Sequence, residues 1–162
     1  MKIYIASSFK LIDRVLEIAE ALEADGHTIT EKWYDRSYHF ENEGLVHTTE
    51  LKTRYDELSP EEFYAIPSVK QSFLKDFLGV KKADALVFVA DDQPRKFNGA
   101  AVELGIALGD FKPCFLLGEL ETSVLYSPLR RCRDTVQLLA ELDQYRRRMR
   151  MTPMHSSKEA LL

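Results

Sequence analysis

Ala85-Leu86-Val87-Phe88-Val89-Ala90 is a six-residue run without one polar side chain. A half-exposed strand alternates polar and apolar residues, so an unbroken run of this kind predicts a parallel strand buried on both faces. Pro113-Cys114-Phe115-Leu116-Leu117 has the same character, and Gly99 to Gly109 lies between the two as a helix candidate. A strand, a helix and a second strand of this type form a right-handed crossover unit. Upstream, Lys2-Ile3-Tyr4-Ile5-Ala6 reads as the first strand. Leu11, Val15, Ile18, Ala19 and Leu22 then recur at helical spacing, and Gly26 is the expected C-cap. Thr28 to Trp33 reads as a second strand. The polar and aromatic stretch from Tyr34 to Leu58 has weak periodicity, and loops of that length are often lids or binding segments. Ser59-Pro60-Glu61-Glu62 looks like a helix start. Pro67 should interrupt that helix and Ser68 restart it through Lys82, with Val69, Phe73, Phe77 and Val80 as the inner stripe. Downstream, a short fifth strand is expected near Arg131 to Arg133. Thr135 then caps a last helix with Val136, Leu139, Ala140 and Leu142 inward.

The alternation implies the α/β class: a single doubly wound, flavodoxin-like parallel sheet of about five strands. One domain is expected over 1–150, followed by a C-terminal tail, 151–162, with little signal. Ligands of such sheets sit beyond the carboxyl ends of the strands, where the strand order reverses. With the order 2-1-3-4-5, that crevice lies between strands one and three, walled by Ala6 to Phe9 and Asp91 to Gly99. Composition narrows the partners. Lys and Arg total 22 against 26 Asp and Glu, a net charge of −4, which argues against a dedicated nucleic-acid binder. No run approaches the ~20 apolar residues of a membrane span, and the N-terminal segment does not read as a signal peptide. The two cysteines, Cys114 and Cys132, lack metal-ligand spacing. Cys114 sits in an apolar run and is expected to be a buried free thiol, which suits a cytoplasmic location.

Two carboxylates stand out. Glu103 is the one polar side chain between Gly99 and Gly109. At ~100° per residue it shares a face with the small residues Ala100 and Ala107, and it is read as a first-turn anion favoured by the helix dipole. An ionised Glu at a cleft wall is a nucleophile or a base; otherwise it is a dipole partner, or pairs with an arginine. Asp76 falls ~60° from Phe73 on its helix, at the edge of the expected apolar face. An ionised carboxylate beside one that can hold a proton is the usual division between nucleophile and general acid.

The chain resembles the nucleoside 2-deoxyribosyltransferases, a group that includes related nucleotide N-glycoside hydrolases. The resemblance rests on Lys2-Ile3-Tyr4-Ile5-Ala6-Ser7-Ser8-Phe9 and on Lys75-Asp76 before Ala83-Asp84-Ala85-Leu86-Val87. It continues through Gly99-Ala100-Ala101-Val102-Glu103-Leu104-Gly105 followed by Lys112-Pro113. It spans about residues 1–117, and more loosely the last helix. It implies Glu103 as the nucleophile on the anomeric carbon and Asp76 as the group that handles the base and its proton. It also implies a homo-oligomer, no cofactor, and a nucleoside or nucleotide substrate with a free nucleobase as partner. Where transferases usually carry a further Asp, two positions before the glycine of the Glu segment, this chain has Phe97; Asp91 and Asp92 lie nearby. The substrate-binding set is then Ser7, Ser8, Phe9, Asp91, Asp92, Asn98 and Gly99.

Other signals divide between two readings. Ser7 and Ser8 either bind a sugar hydroxyl or 5′-phosphate, with Lys10, Arg95 and Lys96 adding charge, or cap the first helix. Trp33, Tyr34, Tyr38 and Phe40 either stack on a base or pack under a lid. His39 and His47 read as surface residues and no metal site is expected. The arginines at 130, 131, 133, 146–148 and 150 read as a solvated helix face. On function, the leading reading is transfer of a (2-deoxy)ribosyl group between bases. Its rivals are a nucleotide N-glycoside hydrolase and a non-catalytic nucleotide-binding module.

Overall fold

Polar main-chain groups in a buried strand need neighbours on both sides, and the order in which the strands find them sets the architecture. A computed structural model describes residues 1–40, 44–48, 50, 59, 61, 67–90, 98–120 and 126–151. The elements are β1 (Lys2–Ala6), α1 (Ile12–Ala24), β2 (Thr28–Ile29), β3 (Ser37–Phe40), β4 (Gly44–His47) and α2 (Pro67–Lys82). They continue with β5 (Ala85–Val89), α3 (Asn98–Gly109), β6 (Cys114–Leu117), β7 (Arg130–Cys132) and α4 (Thr135–Met151). Five strands make one parallel sheet in the order β2-β1-β5-β6-β7, the expected flavodoxin-like arrangement. Tyr4 stands opposite Leu86 and Ile5 opposite Val87, so β1 and β5 flank the point of reversal. The chain runs outward from β1 to β2, then back across β1 to β5. That reversal, with right-handed crossovers, puts α1 beside α4 on one face and α2 beside α3 on the other. β1 and β5 are wholly buried apart from Lys2, and Phe88, Phe115, Leu116 and Leu138 are among the largest core side chains.

The local signals at α1 are realised in full. Ser8 caps the 3-10 turn Phe9–Leu11 that leads into α1, accepting from the Lys10 N–H at 3.3 Å. At the other end Gly26 takes φ +80°, the His27 N–H donates to Leu22 O at 3.0 Å and the Gly26 N–H to Glu23 O at 3.0 Å. These two bonds satisfy carbonyls that the helix itself leaves open, and the left-handed residue they require is a glycine.

Four expectations need correction. The second strand stops at Ile29, because the chain turns so that the Trp33 indole N–H can donate to Ile5 O at 2.7 Å. The stretch after it holds the antiparallel pair β3–β4, which short polar strands do not announce. On α4, Val136 is 77% exposed and Ala140 is also exposed. The buried face carries Leu138 and Leu142, and Asp134 is the residue that caps the helix, accepting from the Gln137 N–H at 2.7 Å. On α2, Phe73 is 64% exposed although it was placed in the inner stripe. The face turned to the sheet contains Asp76, Gly79 and Val80 instead. A Cβ at Gly79 would lie 2.7 Å from Glu31 Cβ and 3.0 Å from the Tyr4 ring, so this face approaches the sheet more closely than a row of large side chains permits. The helix start at Ser59–Glu62 and the tail beyond Met151 lie largely outside the described residues.

Among the described residues no helix is long and apolar enough to cross a membrane, and no group of His, Cys, Asp and Glu is arranged to hold a metal ion. Cys114 and Cys132 are free and buried, as expected of Cys114, and burial pushes their thiols up to about 12 and about 11.

The two helical glycines of α2 and α3 predict opposite outcomes. Gly105→Ala, with nothing within 4 Å of its Cβ, should raise stability by ~0.5–1 kcal/mol through helix propensity. Gly79→Ala gains the same propensity but forces Tyr4 or Glu31 aside, and overpacking of this kind costs ~1–3 kcal/mol. Urea unfolding of both variants checks the pair; a stabilised Gly79→Ala would mean that α2 does not depend on this close approach.

Candidate active site

A tyrosine in a strand buried on both faces must place its hydroxyl somewhere polar. Tyr4 has no exposed surface, and its hydroxyl reaches across to α3, where it donates to Glu103 Oε1 at 2.7 Å. Asp76 on α2 lies close enough for its charge to raise the same hydroxyl. Asp76 in turn faces Arg36, which follows the 3-10 turn Trp33–Asp35 and has a side chain only 8% exposed. The guanidinium meets the carboxylate as a fork: Nη1 donates to Oδ2 at 3.2 Å and Nη2 to Oδ1 at 2.5 Å. Its Nε donates to Glu31 Oε1 at 3.2 Å. Four segments of chain therefore converge on one cluster of Tyr4, Glu31, Arg36, Asp76 and Glu103.

Burial governs the electrostatics. The Glu103 carboxyl is pushed up to about 8, chiefly by desolvation; the Tyr4 hydrogen bond opposes the rise and the Asp76 charge adds to it. Desolvation also raises Asp76, and the Arg36 fork holds that rise back. Tyr4 is raised well above its usual range by burial and by the two carboxylates beside it. Burial thus works against the ionised Glu103 that the sequence suggests. Its place on the helix gives little relief. α3 begins at Asn98, so Glu103 stands in the second turn, while the dipole acts within the first. The hydrogen bond can then run either way, since a neutral carboxyl donates to the phenol oxygen as readily as the phenol donates to a carboxylate.

The structure brings Glu103 and Asp76 together, the two carboxylates singled out in the sequence. Ser7, Ser8 and Phe9 lie at the tip of β1, three to five residues past Tyr4, or ~10 Å and more along the strand. There Ser7 Oγ donates to Val89 O at 2.8 Å, tying the ends of β1 and β5, and Arg14 Nη1 donates to Ala90 O at 2.6 Å. Phe9 packs edge-on against Trp33, with ring centroids 5.5 Å apart. Trp33 and Tyr34 are both buried, so these two aromatics are packing groups. Asn98 and Gly99 open α3 at the rim of the crevice, whereas Asp91 and Asp92 lie outside the described residues. His47 is half-exposed, 3.2 Å from Asp35.

Sequence reasoning missed Tyr4, Arg36 and Glu31. The signal for Tyr4 was present, as a phenol in a strand with no polar face. Arg36 and Glu31 stand in polar sequence where another charge attracts no notice.

No family model and no curated protein sequence matches the chain. Among solved structures, the chain is similar to that of the Clostridium botulinum CMP N-glycosidase BcmB, at 17% sequence identity and a TM-score of 0.48, over 90% of this chain and 100% of that one.

The raised Glu103 carboxyl makes a prediction about stability. Between pH 4.5 and about 8 the folded chain binds a proton that the unfolded chain has released, so the stability contributed by this group falls as pH rises across that window and levels off above it. Glu103→Gln, which stays neutral at every pH, should remove this slope and melt at a higher temperature than the parent at pH 8.5. Thermal melts of both proteins from pH 5 to 8.5 check it; identical slopes would mean that Glu103 titrates normally.

Proposed function

We propose that the protein cleaves the N-glycosidic bond of a (2-deoxy)nucleoside or its 5′-monophosphate through a glycosyl ester on Glu103, and passes the sugar to another nucleobase. The observation that carries this reading is the approach of two carboxyls, Glu103 bonded to Tyr4 and Asp76 held by Arg36, beside the β1–β5 reversal. Such a bond breaks through an oxocarbenium-like transition state. Glu103 Oε forms a bond to the anomeric carbon, the electron pair of the C–N bond leaves with the base, and Asp76 donates a proton to that base. A second base then attacks the anomeric carbon of the ester, the C–O bond to Glu103 breaks, Asp76 takes the incoming base's N–H proton, and two inversions leave net retention. If water takes the place of the second base, the same apparatus is a nucleotide N-glycoside hydrolase, with Asp76 acting as general base. Arg36 supports the division of labour, because it differentiates two carboxylates that would otherwise be alike.

The crevice residues complete the reading. Ser7, Ser8, Asp91, Asp92, Asn98 and Gly99 are the proposed contacts to the sugar and its 5′ substituent, with Phe9 beside them. The Ser7 and Ser8 hydroxyls keep acceptor or donor capacity beyond the main-chain bonds they make. No cofactor enters the scheme, and a cytoplasmic site of action accords with the buried free thiols. Exposed Phe73, Leu74 and Leu78 on α2, with Val102 on α3, support a homo-oligomer as the working form.

The test uses a panel of nucleosides and 5′-monophosphates, each with and without a labelled free base. A transferase shows ping-pong kinetics, exchange of label into nucleoside, and a sugar mass on the peptide bearing Glu103. A hydrolase releases sugar or sugar phosphate with little exchange, and a binding module yields neither adduct nor product. Glu103→Ala should abolish turnover in a folded protein. Asp76→Asn should cost ~10²–10⁴-fold, and less for substrates with a good leaving base. An inverted product formed without any adduct would make Glu103 a base that activates water and would end the covalent scheme.

A further inference from the structure

A nucleophile must be ionised when it attacks, yet burial favours the neutral form of Glu103, so the position of one proton becomes the question. Among the described residues, the groups facing each other are Tyr4 from β1, Glu31 after β2, Arg36 before β3, Asp76 from α2 and Glu103 from α3. With every carboxyl ionised, three negative charges would share one guanidinium in a largely buried space. The Tyr4 hydroxyl adds a geometric constraint. It bonds Glu103 at 2.7 Å and, with a single proton, either donates to a carboxylate there or accepts from a neutral carboxyl.

Arg36 breaks the tie. Its fork is aimed at Asp76, while Glu103 feels the same charge more weakly than it feels Tyr4 or Asp76. The arginine is also held at its backbone. Thr48, wholly buried at the base of the β3–β4 hairpin, accepts from the Arg36 N–H at 3.2 Å. It returns two bonds to Arg36 O, from its N–H at 2.7 Å and from Oγ1 at 2.7 Å. The hairpin base thus clamps the residue that meets Asp76.

We propose that Arg36 is a positioning residue that keeps the proton shared by the two carboxyls on Glu103 in the substrate-free protein, by holding Asp76 as its anion. Catalysis then requires that proton to pass from Glu103 to Asp76, which leaves the nucleophile charged and the acid loaded and consumes nothing else. That use of the proton rests on the glycosyl-transfer reading; its resting place does not.

The test needs no substrate. Carbon-13 NMR of protein labelled at Glu Cδ or Asp Cγ follows each carboxyl with pH, with assignments from Glu103→Gln and Asp76→Asn. In the parent, Glu103 should be neutral at pH 7 and Asp76 charged. Arg36→Met should reverse the order by about tenfold or more in proton preference, leaving Asp76 the neutral group at pH 7. Arg36→Lys, which retains the charge, should keep the proton on Glu103. A charged Glu103 at pH 7 in the parent overturns the proposal, and so does a neutral Glu103 in both the parent and Arg36→Met. If Arg36→Met does not fold, Arg36→Gln takes its place, with the same reversal expected and a neutral Glu103 again overturning the proposal. The kinetic counterpart is a kcat/KM that falls above about pH 8, where the pair loses its proton. A protein that turns over no nucleoside yet shows the proton switch would fail the functional reading and keep this one.

Discussion

A single hydroxyl group constrains most of this molecule. Tyr4 stands in the strand next to the sheet's reversal point, with no exposed surface, and an unbonded phenol there would cost the full penalty of a buried polar group. Its ring fills the space under α2, which is why position 79 has no side chain. Its hydroxyl is satisfied from α3 by Glu103 and lies close enough to Asp76 on α2 to be raised by its charge. The two helices on that face are therefore placed by one side chain of the sheet, and the two carboxylates they carry are brought together as a consequence.

That arrangement is expensive. Burial raises both Glu103 and Asp76, and Arg36 and Glu31 are drawn from the solvent to compensate. Buried ionic clusters of this sort seldom add net stability over an apolar packing of equal volume. Perturbed carboxylates beside a cleft are also what acid–base and nucleophilic chemistry require. The β3–β4 hairpin takes its meaning from the same cluster. It is an insertion between β2 and α2, outside the main sheet, and its base is closed by Thr48 on the backbone of Arg36. An excursion that looks dispensable to the fold is the element that delivers the cation.

The crevice at the strand tips has a different character. Ser7, Ser8 and Arg14 spend hydrogen bonds on Val89 O, the Lys10 N–H and Ala90 O, which fixes the ends of β1 and β5 relative to α1. These bonds lie ~10 Å and more along the strand from the Tyr4 cluster, and β1 carries both.

The sequence by itself determined the sheet. Apolar runs at β1, β5 and β6 can be buried only on both faces, and the helices between them force parallel order and right-handed crossovers, so the strand arrangement followed from local pattern. Glu103 and Asp76 were also legible, because a carboxylate in or beside an apolar stripe violates that pattern. The inner faces of α2 and α4 were not. Periodicity ranks side chains by size and polarity, whereas α2 was settled by the clearance between Gly79 and Tyr4, and α4 by Leu138 and Leu142 reaching the core while Val136 stayed in solvent. Nor was the protonation of Glu103 legible. Hydrogen bonds and desolvation depend on which groups lie within a few ångströms, and Tyr4, Arg36, Asp76 and Glu103 are up to 99 positions apart along the chain. Only the folded chain brings their charges into one low-dielectric space, and there burial outweighs the helix dipole that the sequence invoked.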